Sequence, residues 1–187
     1  MKFSMKKVTV LLADGFEEIE ALTVVDLLRR AKVYVDTVSI TDDYTVRGAH
    51  GIPVQTEDLI TEIDFKESDM IVLPGGMPGT TNLKEDENVR KAVQEAYDDG
   101  RYVAAICAAP TILADMGILK GKRATCHPDM ESEIEDAYLT GAPVATDENI
   151  ITSQGVGTAI DFALKLIEVL ISEEKAVEIA DSIVYQR

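Results

Sequence analysis

The chain has 187 residues, with 34 acidic and 18 basic side chains and a formal net charge of −16. A length of this order accommodates one domain with a full apolar core, read here as residues 1–187, and the charge leaves no basic footprint for nucleic acid, which is disfavoured as a general partner. The two cysteines supply neither a disulfide framework nor the paired Cys/His spacing of a structural zinc site, so a reducing cytoplasm is the expected compartment.

The charged start, Met1 to Lys7, leads into an apolar run of only Val8 to Ala13, too short for a signal sequence or a membrane span; no membrane partner is expected. Val8 to Leu12 reads as the first strand. Glu17 to Ala31 is predicted as a helix with an apolar stripe of Ile19, Leu22, Val25, Leu27 and Leu28, and Val33 to Ile40 returns as a strand, completing a βαβ unit. A hairpin-like polar stretch follows through Arg47-Gly48-Ala49-His50-Gly51, and Met70 to Leu73 is a strand broken sharply at Pro74-Gly75-Gly76. Next come a helix over Asn88 to Tyr97, a strand over Tyr102 to Ile106, and a helix over Ala109 to Met116 closed by Gly117. Between Arg123 and Asn149 the pattern is less regular, with β-like pieces at Ala124 to Cys126 and Pro143 to Ala145. Ile150 to Thr152 is a strand, Thr158 to Leu170 a helix opened by Gly155-Val-Gly157, and Glu173 to Val184 a terminal helix. The alternation predicts an α/β fold with a mostly parallel sheet and helices on both faces.

Cys107 stands where the run Tyr102 to Ile106 meets the small residues that start the next helix, with Pro110 suited to its first turn. A thiol at such a turn faces unpaired helix N–H groups, which favour the thiolate and lower its pKa. The competing reading is a cysteine that simply packs. In an open α/β sheet ligands gather beyond the carboxyl ends of the strands, where Asp14-Gly15, Gly75-Gly76, Cys107 and Gly155-Val-Gly157 all fall.

Glu17 and Glu18 fit the ordinary preference of carboxylates for a first helical turn, whereas Glu20 starts the face that reaches the crevice. A partly buried carboxyl beside a thiolate stays protonated and donates a hydrogen bond to sulfur, or acts as a general acid or base. Of the two histidines, His127 is the better thiol partner than His50, since it follows a short β piece and precedes Pro128. Cys126 is expected to pack in its strand. No phosphate-binding loop or dinucleotide fingerprint is present, so a nucleotide cofactor is disfavoured.

Taken together, Ala13-Asp-Gly-Phe-Glu-Glu-Ile-Glu20, Val72-Leu-Pro-Gly-Gly76, Ala104-Ala-Ile-Cys-Ala-Ala-Pro110, Thr125-Cys-His-Pro128 and Thr152-Ser-Gln-Gly-Val-Gly-Thr158 resemble the ThiJ/PfpI superfamily. Within it the chain is most similar to the branch of the parkinsonism-associated deglycase and bacterial YajL, from about Lys7 to the C-terminal helix. The resemblance implies a flavodoxin-like sandwich, a homodimer, and a nucleophilic or oxidation-sensitive Cys107. It implies Glu20 as the carboxyl bonded to the sulfur, His127 as the nearby imidazole, and an oxyanion or substrate-binding loop at Gly75 and Gly76, with Ala108 beside the nucleophile. The implied activity is cofactor-free and metal-free: methylglyoxal to lactate, or repair of early glycation adducts on a small aldehyde or glycated substrate. The alternative is a redox sensor or chaperone in which Cys107 becomes a sulfinic acid. Peptidase-like relatives carry histidine directly after the cysteine, where this chain has Ala108, so their dyad is missing and peptidase activity is disfavoured. An arginine that relatives place near the site aligns with His50, with Arg47 close by, and Val156 replaces a proline between two glycines without expected consequence.

Overall fold

A computed structural model describes residues 5–186. In chain order it places β1 (Lys7–Leu12), α1 (Glu18–Arg30), β2 (Tyr34–Ser39), β3 (Thr45–Arg47), β4 (Pro53–Gln55), β5 (Asp58–Leu59), β6 (Met70–Leu73), α2 (Gly79–Glu85) and α3 (Glu87–Asp98). The second half continues with β7 (Tyr102–Ile106), α4 (Pro110–Asp115), β8 (Arg123–Ala124), β9 (Tyr138–Leu139), β10 (Val144–Asp147), β11 (Ile150–Ser153), α5 (Ala159–Leu170) and α6 (Glu173–Ser182).

Seven strands form the main sheet in the order β10-β11-β7-β6-β1-β2-β5. Every pairing in it is parallel except the edge pair β10 and β11. Successive strand residues point to opposite faces, and the buried residues divide accordingly. Val8, Val10, Leu12, Val72, Ala104 and Ile106 pack with α1, α5 and α6, whereas Leu11, Ile71, Leu73, Val103 and Ala105 pack with α3 and α4. The interior strands are therefore apolar on both faces, as a parallel sheet covered on both sides requires. The flavodoxin-like sandwich expected from the sequence is the fold observed.

Helix ends follow the side chains available. Asp86 caps α3 by accepting from the backbone N–H groups of Asn88 and Val89, and Ser172 caps α6 by accepting from Lys175. α1 carries Glu18 and Glu20 in its first turn and Arg29 and Arg30 in its last, matching the helix dipole.

Two differences from the sequence reading, and one expectation met, are instructive. α2 was not anticipated, because its glycine and threonines are poor helix formers; it is held by the buried Leu83 and by close packing of Gly79 on the Phe16 backbone. The polar stretch around Gly48 is the turn of a true hairpin, β3 with β4. The β piece expected at Ala124 to Cys126 shortens to Arg123–Ala124, paired in parallel with β9. Among the described residues no helix is long and apolar enough to cross a membrane.

The strand order turns back between β1 and β6: chain continuing from β1 goes to β2 on one side, while β6, β7 and β11 build outward on the other. Such a switch point opens a crevice at the carboxyl ends of the strands. Phe162 of α5 is fully buried in the core beneath this crevice. Phe162→Ala should cost about 3–5 kcal/mol, read as a lower urea midpoint with little change in slope.

Candidate active site

Four loops leave the ends of β1, β6, β7 and β11 side by side, and each delivers part of one cleft. The cleft has a volume of about 490 Å³ and is lined by Glu17, Glu20, Gly76, Cys107, His127 and the segment 154–158.

Cys107 immediately follows β7 and adopts φ = +67°, a left-handed conformation unusual for a residue with a side chain. Its backbone is held on both sides: its N–H donates to the Ser153 carbonyl (3.0 Å) and its carbonyl accepts from the His127 N–H (2.9 Å). Ala109 is the N-cap of α4 and Pro110 opens it, so the chain passes from strand to helix within three residues of Ile106. The geometry is that of a nucleophile elbow, which lifts the side chain out of the turn.

Glu20, in the first turn of α1, is completely buried. Its Oε2 accepts from the Gly75 N–H at 2.8 Å, and its Oε1 has no hydrogen-bond partner of normal geometry. Gly75 makes this possible, since a methyl group there would stand 2.6 Å from Cys107 Cβ and 2.7 Å from Glu20 Oε2. The bond corrects one expectation. Gly75 uses its N–H on Glu20, so the backbone donors that act on the sulfur are those of Ala108 and Gly76.

Gly155 marks where the side chains converge. A methyl group on it would lie 3.7 Å from His127 Cδ2, 3.9 Å from Cys107 Sγ and 3.9 Å from Glu20 Oε1. His127 Nδ1 accepts from the Asp129 N–H (3.3 Å), which in the neutral ring leaves the proton on Nε2, adjoining the Cδ2 that faces this point. The carboxylate of the exposed Asp129 lies 3.7 Å from Nδ1.

Burial raises Glu20 to about 7, partly offset by the adjacent Cys107 thiol and by the hydrogen bond from the Gly75 N–H. Burial and the Glu20 carboxylate push the Cys107 thiol up to about 12, outweighing the Ala108 and Gly76 N–H groups, which act in the lowering sense predicted for the turn. The lowered thiol pKa expected from the turn alone is thus overturned while Glu20 is ionised. The two groups bind one proton between them over a wide pH range, and its placement decides which is charged. When Glu20 holds it, the like-charge repulsion vanishes and the carboxyl becomes a donor to sulfur. Cys126 is buried in the core, and burial raises its thiol to about 11.

The structure thus brings together Cys107, Glu20, His127, Gly75 and Gly76. Ala108 contributes its backbone, while its side chain borders a second cleft of about 470 Å³ lined in part by Thr80, Lys84 and Arg90. His50 lies outside the cleft, its Nδ1 2.8 Å from Glu18 Oε2, and the Arg47 guanidinium donates to the Gly51 carbonyl at 2.9 Å. Among the described residues no lysine or arginine lines the cleft. Two contributors escaped sequence reasoning. Glu17 carried no signal beyond its place at a helix start, and Gly155 was legible as a turn but not as the meeting point of three side chains.

The chain matches the family model of the DJ-1/PfpI family over residues 6–169. It is 39% identical over 186 residues to Protein DJ-1 homolog B of Arabidopsis thaliana, covering 98% of this chain and 42% of that relative, so it spans less than half of that protein's length. It is 34% identical to Glutathione-independent glyoxalase DJ-1 of Schizosaccharomyces pombe, covering 91% of this chain and 94% of that one. The crystal structure of a mutant DJ-1 superfamily protein from Salmonella typhimurium superposes with a TM-score of 0.93 at 35% identity, covering 98% of this chain and all of that one.

A shared proton predicts a two-step pH profile for alkylation of Cys107 by iodoacetamide. The first rise should fall near the Glu20 value of about 7 and reach a plateau, with a second rise only toward about 12. Glu20→Gln should collapse this to one step. A single step in the unsubstituted protein would show that the two groups titrate independently.

Proposed function

The chain belongs to the DJ-1/PfpI family, and from that footing we propose that it is a cofactor-free enzyme acting on small reactive aldehydes, with methylglyoxal-to-lactate conversion as the defining reaction. The observation that carries this reading is the convergence of Cys107 Sγ, Glu20 Oε1 and the His127 ring on the one point beside Gly155. An uncharged substrate suits a cleft lined by carboxylates and, among the described residues, by no lysine or arginine.

The reaction follows from the placement of one proton. With Glu20 protonated, the Cys107 thiolate adds to the aldehyde carbon, and the new oxyanion takes a proton to give a hemithioacetal. The N–H groups of Gly76 and Ala108 stand next to the sulfur and serve as donors to that oxygen. Glu20, now a carboxylate raised toward neutrality by burial, removes the proton from the former aldehyde carbon, and the enediol collects it at the adjacent carbon. The product is a lactoyl thioester. Water hydrolyses it to lactate and regenerates the thiol, with no net oxidation and no external reductant. His127, through Nε2–H, is the further donor at the oxygen.

A second reading is supported by the unpartnered Glu20 Oε1: its proton would hold a sulfinate oxygen if Cys107 were oxidised. One set of variants separates the two. Cys107→Ala should abolish lactate formation, Glu20→Gln should lower kcat by about 10²–10⁴, and His127→Ala should have the smaller effect. Equal turnover by the unsubstituted protein and Cys107→Ala would sink the enzymatic reading. Absent turnover with clean addition of two oxygens to Cys107 after mild peroxide, measured by mass spectrometry, would favour the redox one.

A homodimer is the proposed assembly. Ile19 and Leu22 of α1 and Ile52 beside β4 form one exposed apolar surface, with Ile19 53% and Ile52 52% accessible. Leu22→Asp should shift the mass in light scattering from two chains toward one, while an unchanged mass would place the dimer elsewhere.

A further inference from the structure

Beside the thiol cleft, the start of α1 and the β3–β4 turn bring a different set of donors together. Glu17 Oε2 lies 3.6 Å from His50 Nδ1 and Glu18 Oε2 lies 2.8 Å from it, and the three ligand atoms all fall within 4.8 Å of one another. Among the described residues this is the one group of its kind. We propose that Glu17, Glu18 and His50 form a binding site for a divalent transition-metal ion of the Zn²⁺ type, at the rim of the Cys107 cleft.

The spacing fits the ion. Bonds of about 2.0–2.2 Å to nitrogen and oxygen place tetrahedral ligands roughly 3.3–3.6 Å apart, so a small opening of the Glu18–His50 contact admits a metal in place of the proton now shared there. The donor chemistry fits as well. Two carboxylates offset the charge of a divalent ion, and an imidazole selects zinc-like metals over magnesium and calcium, which take all-oxygen shells.

The donors are also held in place before any ion arrives. Glu18 is buried, and its Oε1 accepts from the His50 backbone N–H at 2.7 Å, which leaves Oε2 directed at the ring. Gly48 lets the turn close over that carboxylate, because a methyl group on it would lie 2.3 Å from Glu18 Oε1. The turn itself is tied to the β1–α1 loop by two backbone bonds, Gly15 N–H to the Arg47 carbonyl (2.8 Å) and Ala49 N–H to the Phe16 carbonyl (2.8 Å), and by one bond to a side chain, Arg47 N–H to Asp14 Oδ1 (2.8 Å). Glu17 lines the thiol cleft as well. An ion held here would therefore share a ligand-bearing residue with the proposed catalytic site while leaving Cys107, Glu20 and His127 untouched.

The chain has only two histidines, so their ring signals report the site directly. Zn²⁺ is titrated calorimetrically into Cys107→Ser protein, removing the competing thiol, and Co²⁺ is added in parallel while both imidazoles are followed by NMR. The expected result is one equivalent of Zn²⁺, with Co²⁺ perturbing His50 far more than His127, and at least about tenfold weaker binding in His50→Ala. His50 is exposed, and His50→Ala keeps the backbone N–H that Glu18 Oε1 accepts; far-UV circular dichroism checks that the variant is folded. The proposal is overturned by the absence of saturable binding, by a response centred on His127, or by several weak sites that His50→Ala does not change.

Discussion

The site depends on the absence of a side chain at Gly75. That residue lies between the elbow cysteine and the first helix, in contact with Cys107 Cβ on one side and Glu20 Oε2 on the other. A Cβ there would collide with both, and without one the Gly75 N–H reaches the buried carboxylate. Once the 2.8 Å bond forms, one oxygen of Glu20 is occupied and oriented, and the other is left near the sulfur without a partner. A lone unsatisfied oxygen at full burial is costly for a carboxylate and tolerable for a carboxyl sharing its proton. The geometry around one glycine thus determines the protonation behaviour of the pair.

The cysteine's own conformation is a second local expense that the fold absorbs. A left-handed backbone at a residue with a Cβ costs roughly 1–2 kcal/mol. Hydrogen bonds to Ser153 and from His127, each worth about 1 kcal/mol net, are of the size needed to hold it. Both partners come from segments next to β7, and β11 delivers Ser153 because it pairs with β7 in parallel. Sheet order, more than any local propensity, is what makes the elbow stable.

This separates what the sequence reveals from what it conceals. Strands such as Met70–Leu73 and Tyr102–Ile106 were legible because strands buried on both faces appear as unbroken apolar runs. The elbow was legible because a small-residue seam ending in Pro110 admits few other structures. α2 was not, since Gly79-Thr80-Thr81 argues against a helix that only tertiary packing sustains. The raised thiol pKa was missed for a related reason. The helix N–H groups are local and could be read, whereas the opposing influences, burial and a carboxylate 87 positions earlier in the chain, belong to the tertiary structure. The convergence on Gly155 was likewise beyond reach, because it joins a helix and separate loops whose spacing no motif encodes.

The choice between turnover and oxidation is left to chemistry rather than to electrostatic selection. A chain of net charge −16, with a cleft carrying Glu17 and Glu20, disfavours anions but does not distinguish among small neutral molecules. A dicarbonyl and a peroxide are both small and neutral, and both are electrophiles toward a thiolate. They differ in what they leave at the sulfur. Addition to a carbonyl would create an oxyanion one bond farther out, within reach of the Gly76 and Ala108 N–H groups and the His127 ring, and proton transfer followed by hydrolysis of the thioester would free the sulfur. Oxidation places oxygen on the sulfur itself, where the Glu20 proton can bind it and no internal step removes it. The carboxyl that makes the aldehyde reaction reversible at each proton transfer would therefore be the group that makes oxidation persistent.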